Sequence, residues 1–196
     1  MVTEKMYDKL AELIVKKGVN VQKGQPVVIR ADLHDAAFVK KVVRCAYEAG
    51  AKYVSVDWSD SDLSKMSFKY QSIETLSEVP QWRYDKMKYQ NDGGACFISI
   101  LSEEPGVMAD VDGEKIKAAN IAYYTKMNDL MNYTLNNEGQ WTAVGVPSLA
   151  WAKVVFPDLP EEEAFEKLGD AIFAVTRVTE DNDPIAEWTK HDEEML

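Results

Sequence analysis

Histidine is nearly missing from this chain, with only His34 and His191 among 196 residues. A metal site or a Ser–His–Asp triad would have to be built almost entirely from carboxylates. Cysteine is equally scarce. Cys45 and Cys96 stand far apart without a CxxC spacing, which excludes a zinc ribbon and a thioredoxin-type motif. The two could pair, but each reads more simply as a small buried hydrophobe in a reducing compartment. Positive charge is short too. The 22 Lys and Arg face 33 Asp and Glu, a net charge of −11. With a pI near 4.7, this speaks against a nucleic-acid or anionic-membrane partner. No apolar run approaches the roughly 20 residues of a membrane helix, and Met1-Val2-Thr3-Glu4-Lys5 does not open a signal peptide. The expectation is a soluble, cytoplasmic protein. Glycine-rich and catalytic signatures are missing as well, with no GxGxxG, P-loop, GxSxG or HExxH sequence anywhere.

What is present is a well-patterned globular chain. The apolar fraction is 46% and the mean hydropathy −0.32, enough to bury a real core in one domain. Tyr7, Leu10, Ala11, Ile14 and Val15 recur at helical spacing up to Gly18, a C-cap candidate. Val27-Val28-Ile29 after the Lys23–Pro26 turn reads as a buried strand. Asp32 to Asp35 can cap a helix with Ala36, Val39, Val43 and Ala46 on one face, ending near Gly50. Tyr53, Val54 and Val56 then form a second strand. Strand, helix and strand in this span make a βαβ unit, hence parallel pairing with a right-handed crossover.

The middle is less regular. Helices are expected over Asp60–Gln71 and Val79–Tyr89, with Asp60 and Glu78 as acidic caps, and a strand over Ala95–Leu101 after Gly93-Gly94. Asp112–Leu135 is a long helix carrying Ile116, Ala119, Tyr123, Met127, Leu130 and Met131 at the helical period, with Gly139 ending it. Trp141–Val146 is a fourth strand, closing on Pro147. The last quarter is helical. A short helix spans Ser148–Phe156, and Glu161-Glu162-Glu163 open another at the positive end of its dipole. Phe165, Leu168, Ile172 and Val175 form its expected stripe. Pro184 suits a first helical turn, and Ile185, Trp188, Met195 and Leu196 fall roughly on one side of a final helix. The expected fold is a three-layer α/β domain: a mostly parallel sheet of about four or more strands, helices on both faces, and a helical C-terminal quarter. The chain stops in mid-pattern on Met195-Leu196, without a glycine, a basic last turn or a polar tail. A cut inside a longer protein is the expectation.

Candidate chemistry gathers at two strand ends. Asp32, His34 and Asp35 follow the first strand, at the edge of an open α/β sheet where ligands bind. They could act as acid, base or ligands, but a helix cap beside an exposed histidine is the commoner use of such residues. Asp57, Asp60 and Asp62 follow the second strand. They could hold a divalent cation, magnesium more readily than zinc, or simply cap a helix and solvate a loop. Gly93-Gly94 precedes a strand and so lacks the setting of a phosphate loop. His191 and Glu193, two apart on one helix, face different ways. Trp58, Trp82, Trp141, Trp151 and Trp188 could stack ligands, although aromatic anchors are usually buried packing groups. Spacing alone yields no self-contained catalytic constellation.

An ordered set of residues carries a resemblance. Trp141-Thr142-Ala143-Val144-Gly145-Val146-Pro147-Ser148 is followed by Trp151-Ala152-Lys153-Val154-Val155-Phe156-Pro157-Asp158. Glu163-Ala164-Phe165-Glu166-Lys167-Leu168, Ala171-Ile172-Phe173, Arg177, Asp183-Pro184, Trp188 and His191 come next. Gly24, Pro26 to Arg30, Ala46-Tyr47, Gly50-Ala51 and Val54 to Trp58 agree at the front. The chain resembles the aminopeptidase S/aminopeptidase T family, the PepS-type leucyl metallo-aminopeptidases. The likeness covers nearly the whole chain but only the family's N-terminal domain.

The resemblance implies a full-length cytoplasmic enzyme that releases N-terminal amino acids from peptides and pairs as a homodimer. It would use two divalent metals of the zinc, cobalt or manganese type, held by Glu, His and Asp of a C-terminal catalytic domain. No catalytic, cofactor-binding or metal residue carries over to a position of this chain. On this reading, residues 1–183 are an N-terminal α/β domain and 184–196 begin the helix leading to the catalytic domain. The fragment alone is expected to be inactive and to bind no metal, walling the substrate cavity or supporting the dimer. The alternatives are a stand-alone small-molecule-binding module and a structural or oligomerisation module.

Overall fold

A computed structural model describes residues 2–195 of the chain. Four strands, β1 (Pro26–Asp32), β2 (Tyr53–Ser59), β3 (Cys96–Leu101) and β4 (Trp141–Gly145), form one sheet in the order β2-β1-β3-β4. Every pairing is parallel. Val27 lies opposite both Val54 and Cys96, and Phe97 opposite Trp141. The α/β expectation holds, with helices on both faces.

The two faces are unequal. Val27, Ile29, Ala31, Ile98, Ile100, Val144 and Val146 point into one large core. There they meet α1 (Glu4–Leu13), α2 (Ala36–Glu48) and α8 (Glu161–Val175) through Leu10, Phe38, Val39, Val42 and Phe173. Tyr7 joins α1 to both partners, edge-on to Phe38 at 5.8 Å and to Phe173 at 5.0 Å. Burying each such side chain contributes about 1.5–3 kcal/mol. The opposite face is thin. Val28, Ala95 and Phe97 meet Tyr133 of α6 (Gly113–Leu135), and Arg30 lies over the Phe97 ring.

Caps explain where the helices start. The side chains of Thr3, Asp60 and Ser148 accept from Met6 N, Leu63 N and Trp151 N, opening α1, α3 (Ser61–Tyr70) and α7 (Leu149–Val155). Asp183 accepts from Ile185 N and Ala186 N ahead of Pro184, and α9 (Pro184–Met195) begins there as its sequence predicts.

Several expectations need correction. Gly18 closes a π-helical turn, Ile14–Gly18, and the left-handed residue is Asn20 with φ 45°. A short α4 (Ile73–Leu76) intervenes on its own Ser72 cap, and α5 (Gln81–Asp92) starts behind Pro80, so neither Val79 nor Glu78 begins it. The long α6 ends at Leu135 as its spacing predicts, but among its described residues only Met127 is fully buried. Gly139 answers a packing need instead, since a Cβ there would lie 1.9 Å from Tyr133 Cε1. Val175 is 73% exposed. The stripe runs Ala164, Leu168, Ile172, and the inward position then passes to Phe173 and Val178 as the chain turns through Arg177 at φ 56°. Ile185 and Trp188 do pack on the core, whereas Met195 is exposed and Leu196 lies outside the described residues.

Candidate functional site

The strand order places β1 between β2 and β3, so the chain winds one way from β1 to β2 and the other way from β3 to β4. This reversal opens a crevice at the C-terminal ends of the strands, the position where open α/β sheets take ligands. A cavity of about 790 Å³ occupies it. Asp32 and Asp35 border it after β1, Ser102 after β3, and Val146, Pro147 and Ser148 after β4. Asp60 and Asp62 at the start of α3, with Glu4 and Tyr7 of α1, complete much of the rim.

A hydrogen-bonded chain of buried polar groups runs along the floor. Asp32, Asp35, Ser102 and Ser148 are all under one-tenth exposed. Asp32 Oδ1 accepts from the His34 backbone N–H at 3.3 Å and lies 2.7 Å from His34 Nδ1. That contact orients the imidazole and leaves Nε2 3.6 Å from Asp35 Oδ1. The Ser102 hydroxyl donates to Asp35 Oδ2 at 2.5 Å, and the Ser148 hydroxyl donates to the Ser102 carbonyl at 2.6 Å. Burial pushes the Asp35 carboxyl up, while the Ser102 hydrogen bond and His34 oppose that shift. Asp35 makes no side-chain cap for α2, contrary to its reading as part of a capping segment, because its carboxylate is turned inward to Ser102.

The lining is acidic. Glu4, Asp32, Asp35, Asp60, Asp62, Glu103 and Glu104 contribute seven carboxylates, and Lys41, the lysine on the wall, is held by Glu4 at 3.0 Å and Asp8 at 2.7 Å. Phe38, Val107, Leu149 and Phe165 supply apolar wall.

The predicted acidic cluster is thus split. Asp60 and Asp62 reach the cavity, but Asp57 is taken up by Lys86 at 2.5 Å. His191 lies 3.2 Å from an Arg177 guanidinium nitrogen and edge-on to Trp188, a packing role without Glu193. None of the five tryptophans is fully buried, and Trp188 donates to the Thr176 carbonyl. Both cysteines are free and buried.

Sequence reasoning overlooked Ser102 and Ser148. Ser102 follows directly on the C-terminal end of β3, and Ser148 caps α7 three residues past the end of β4, the signals that could have flagged them. Among the described residues, no three or more His, Cys, Asp or Glu side chains gather into a group able to hold a metal ion. The floor carboxylates of Asp32 and Asp35 are engaged with His34 and Ser102.

An α/β domain with a switch-point cavity is a scaffold shared by many activities, and the comparisons with known proteins narrow it. Residues 3–196 match the family model described as thermophilic metalloprotease (M29), and the chain belongs to that family, Peptidase M29. It is 40% identical over 192 residues to Aminopeptidase 2 of Geobacillus stearothermophilus, covering 98% of this chain and 46% of that protein. It is 34% identical over 188 residues to Aminopeptidase T of Thermus thermophilus, covering 94% of this chain and 45% of the relative. The solved structure of wild-type AmpT from Thermus thermophilus superposes with a TM-score of 0.87 at 30% identity, covering 98% of this chain and 47% of that one. The chain therefore spans about half the length of the relatives it matches.

Proposed function

We propose that this chain is the N-terminal part of a longer metal-dependent aminopeptidase that releases N-terminal amino acids from peptides. One observation carries the reading: 40% identity to an aminopeptidase extends over 98% of this chain, yet over less than half of the relative. Residues 1–183 form the α/β domain, and 184–196 lead into the catalytic part. The metals, two divalent ions of the zinc, cobalt or manganese type, would be held by residues beyond this chain. When bound there they supply an activated water and polarise the scissile carbonyl.

The residues described above have a different task. They form one wall of the substrate space. The acidic cavity raises the local concentration of peptides through their positive α-ammonium group, an effect that weakens as salt screens it. The enzyme is a cytoplasmic homodimer on this proposal. No helix among the described residues is long and apolar enough to cross a membrane.

The test is to measure leucyl-peptide hydrolysis by the longer polypeptide with and without a chelator, and with Glu103 and Glu104 changed to Gln. Chelator-sensitive release of leucine is expected, with kcat/KM reduced and less salt-dependent in the double variant. No metal-dependent turnover would refute the enzymatic reading, and unchanged salt dependence would refute the role of the acidic wall. The switch-point cavity itself favours a second reading, a stand-alone small-molecule-binding module. Calorimetric titration of this chain with nucleotides, peptides and divalent metals separates the two, and absence of heat in all of them counts against the second.

A further inference from the structure

Parallel sheets are normally covered on both faces, because their strands carry apolar side chains to each side. Here β4 breaks that rule. It is an edge strand, paired only with β3, and its sequence Trp-Thr-Ala-Val-Gly carries neither charge nor proline to protect the edge. Trp141 and Ala143 share one face of the sheet. The register sets Leu101 beside Gly145 and Ser99 beside Ala143 on that face. Trp141 is 53% exposed and Leu101 51%, and Ala143 is exposed between them. A Cβ on Gly145 would lie 3.3 Å from the Trp151 ring, so the surface continues onto α7, where Val155 is exposed one turn further on. The opposite edge strand differs, since β2 carries Asp57 bound to Lys86.

We propose that this face and edge of β4, with Leu101 and the Trp151–Val155 side of α7, seat the second half of the longer polypeptide. The proposal rests on the reading that the chain is the N-terminal part of a protein about twice its length, as its relatives are. Where α9 ends favours this occupant. Asp192, in its last turn, is bound to Lys17 at 2.8 Å, and the next residue, Gly18, packs against Thr142 of β4. Thr142 alternates with Trp141 and Ala143, so α9 ends on the core side of β4 and polypeptide continuing from it meets the patch around the edge. A covalent tether gives that segment a high effective concentration at the patch.

Both native cysteines are buried, so an introduced thiol reports accessibility cleanly. The experiment uses the longer polypeptide with cysteines of its second half changed to serine. Ala143→Cys and Leu101→Cys are each compared with Tyr89→Cys, at an exposed position on α5. Maleimide labelling at Ala143→Cys and Leu101→Cys is expected to be at least about tenfold slower than at Tyr89→Cys, with equal rates in denaturant. Amide exchange across 141–145 in the unsubstituted protein gives the same answer if a variant fails to fold. An active, metal-dependent peptidase whose β4 thiols label as fast as the control would overturn the docking and leave the functional reading standing. Protection that appears only as protein concentration rises assigns the face to a second copy and also overturns the proposal. Slow labelling in a longer polypeptide without peptidase activity would support the docking while the functional reading fails.

Discussion

Replacing Ser102 with alanine strikes the least accessible part of the candidate site. Ser102 is 1% exposed, and its hydroxyl donates to the carboxylate of Asp35, itself 5% exposed. The substitution leaves Asp35 Oδ2 facing a methyl group, with His34 Nε2 3.6 Å from the other oxygen. A hydrogen bond to a charged group contributes about 1.5–3 kcal/mol, and stranding a buried acceptor costs a similar amount, so a loss of about 2 kcal/mol is expected near neutral pH. Asp35→Asn keeps an acceptor but removes the charge. In that background Ser102→Ala deletes a neutral hydrogen bond worth about 1 kcal/mol, which leaves a coupling of about 1 kcal/mol in the cycle.

The pH dependence has a definite sign. Burial raises the Asp35 pKa, so the folded state keeps its proton to higher pH than the unfolded chain does. The stability from this group is fully present below the unfolded carboxylate pKa and is lost as pH rises through the folded value. Asp35→Asn removes that loss, so the variant gains on the parent as pH rises out of the carboxylate range. Urea unfolding followed by tryptophan fluorescence, at about pH 5 and about pH 7, reads both effects. A Ser102→Ala cost below about 0.5 kcal/mol, or the same cost in both backgrounds, would refute the picture of a buried charge held by Ser102.

Three further outcomes are expected. Lys9 Nζ donates to the carbonyls of Thr179, Glu180 and Asn182, so Lys9→Met should cost about 1 kcal/mol and speed amide exchange across 179–183; unchanged exchange there would count against the clamp. Gly139→Ala forces the Tyr133 ring away from its hydrogen bond to the Ala95 carbonyl and its edge contact with Phe97. A loss of about 2–3 kcal/mol in urea unfolding is expected, and a neutral result would show that the ring is not needed there. Burial pushes the Cys96 thiol up to about 11, so iodoacetamide at mildly alkaline pH should leave it unmodified in the native state and alkylate it in urea. Rapid native labelling, followed by mass spectrometry, would contradict that burial.

The fold was legible wherever the signal is local. Val27-Val28-Ile29, the cap at Asp60, Pro184 in the first turn of α9, and the apolar spacing of α1 each act within a few residues, and each appears where its chemistry predicts. The losses are long-range. Asp35 looks like a cap in sequence, and only the pairing of β1 with β3 brings Ser102, 67 positions away, to claim its carboxylate. Val175 fits the helical period but lies past the point where α8 still faces the core. Gly139 looks like a helix stop, while its constraint comes from the Tyr133 ring. The cavity follows the same division: Asp32, His34 and Asp35 could be found from the strand end they follow. Its far wall, Ser102 and Ser148, depended on strand order.

On the proposed function, this chain is a structural half of an enzyme whose chemistry lies elsewhere in the polypeptide. The direct measurement is leucine release from a leucyl peptide, with bound metal counted on the same samples, for this chain alone and for the longer polypeptide. Turnover and bound divalent metal are expected in the longer protein, both removed by a chelator, and neither in the chain alone. Metal-dependent turnover by the 196 residues on their own would contradict it.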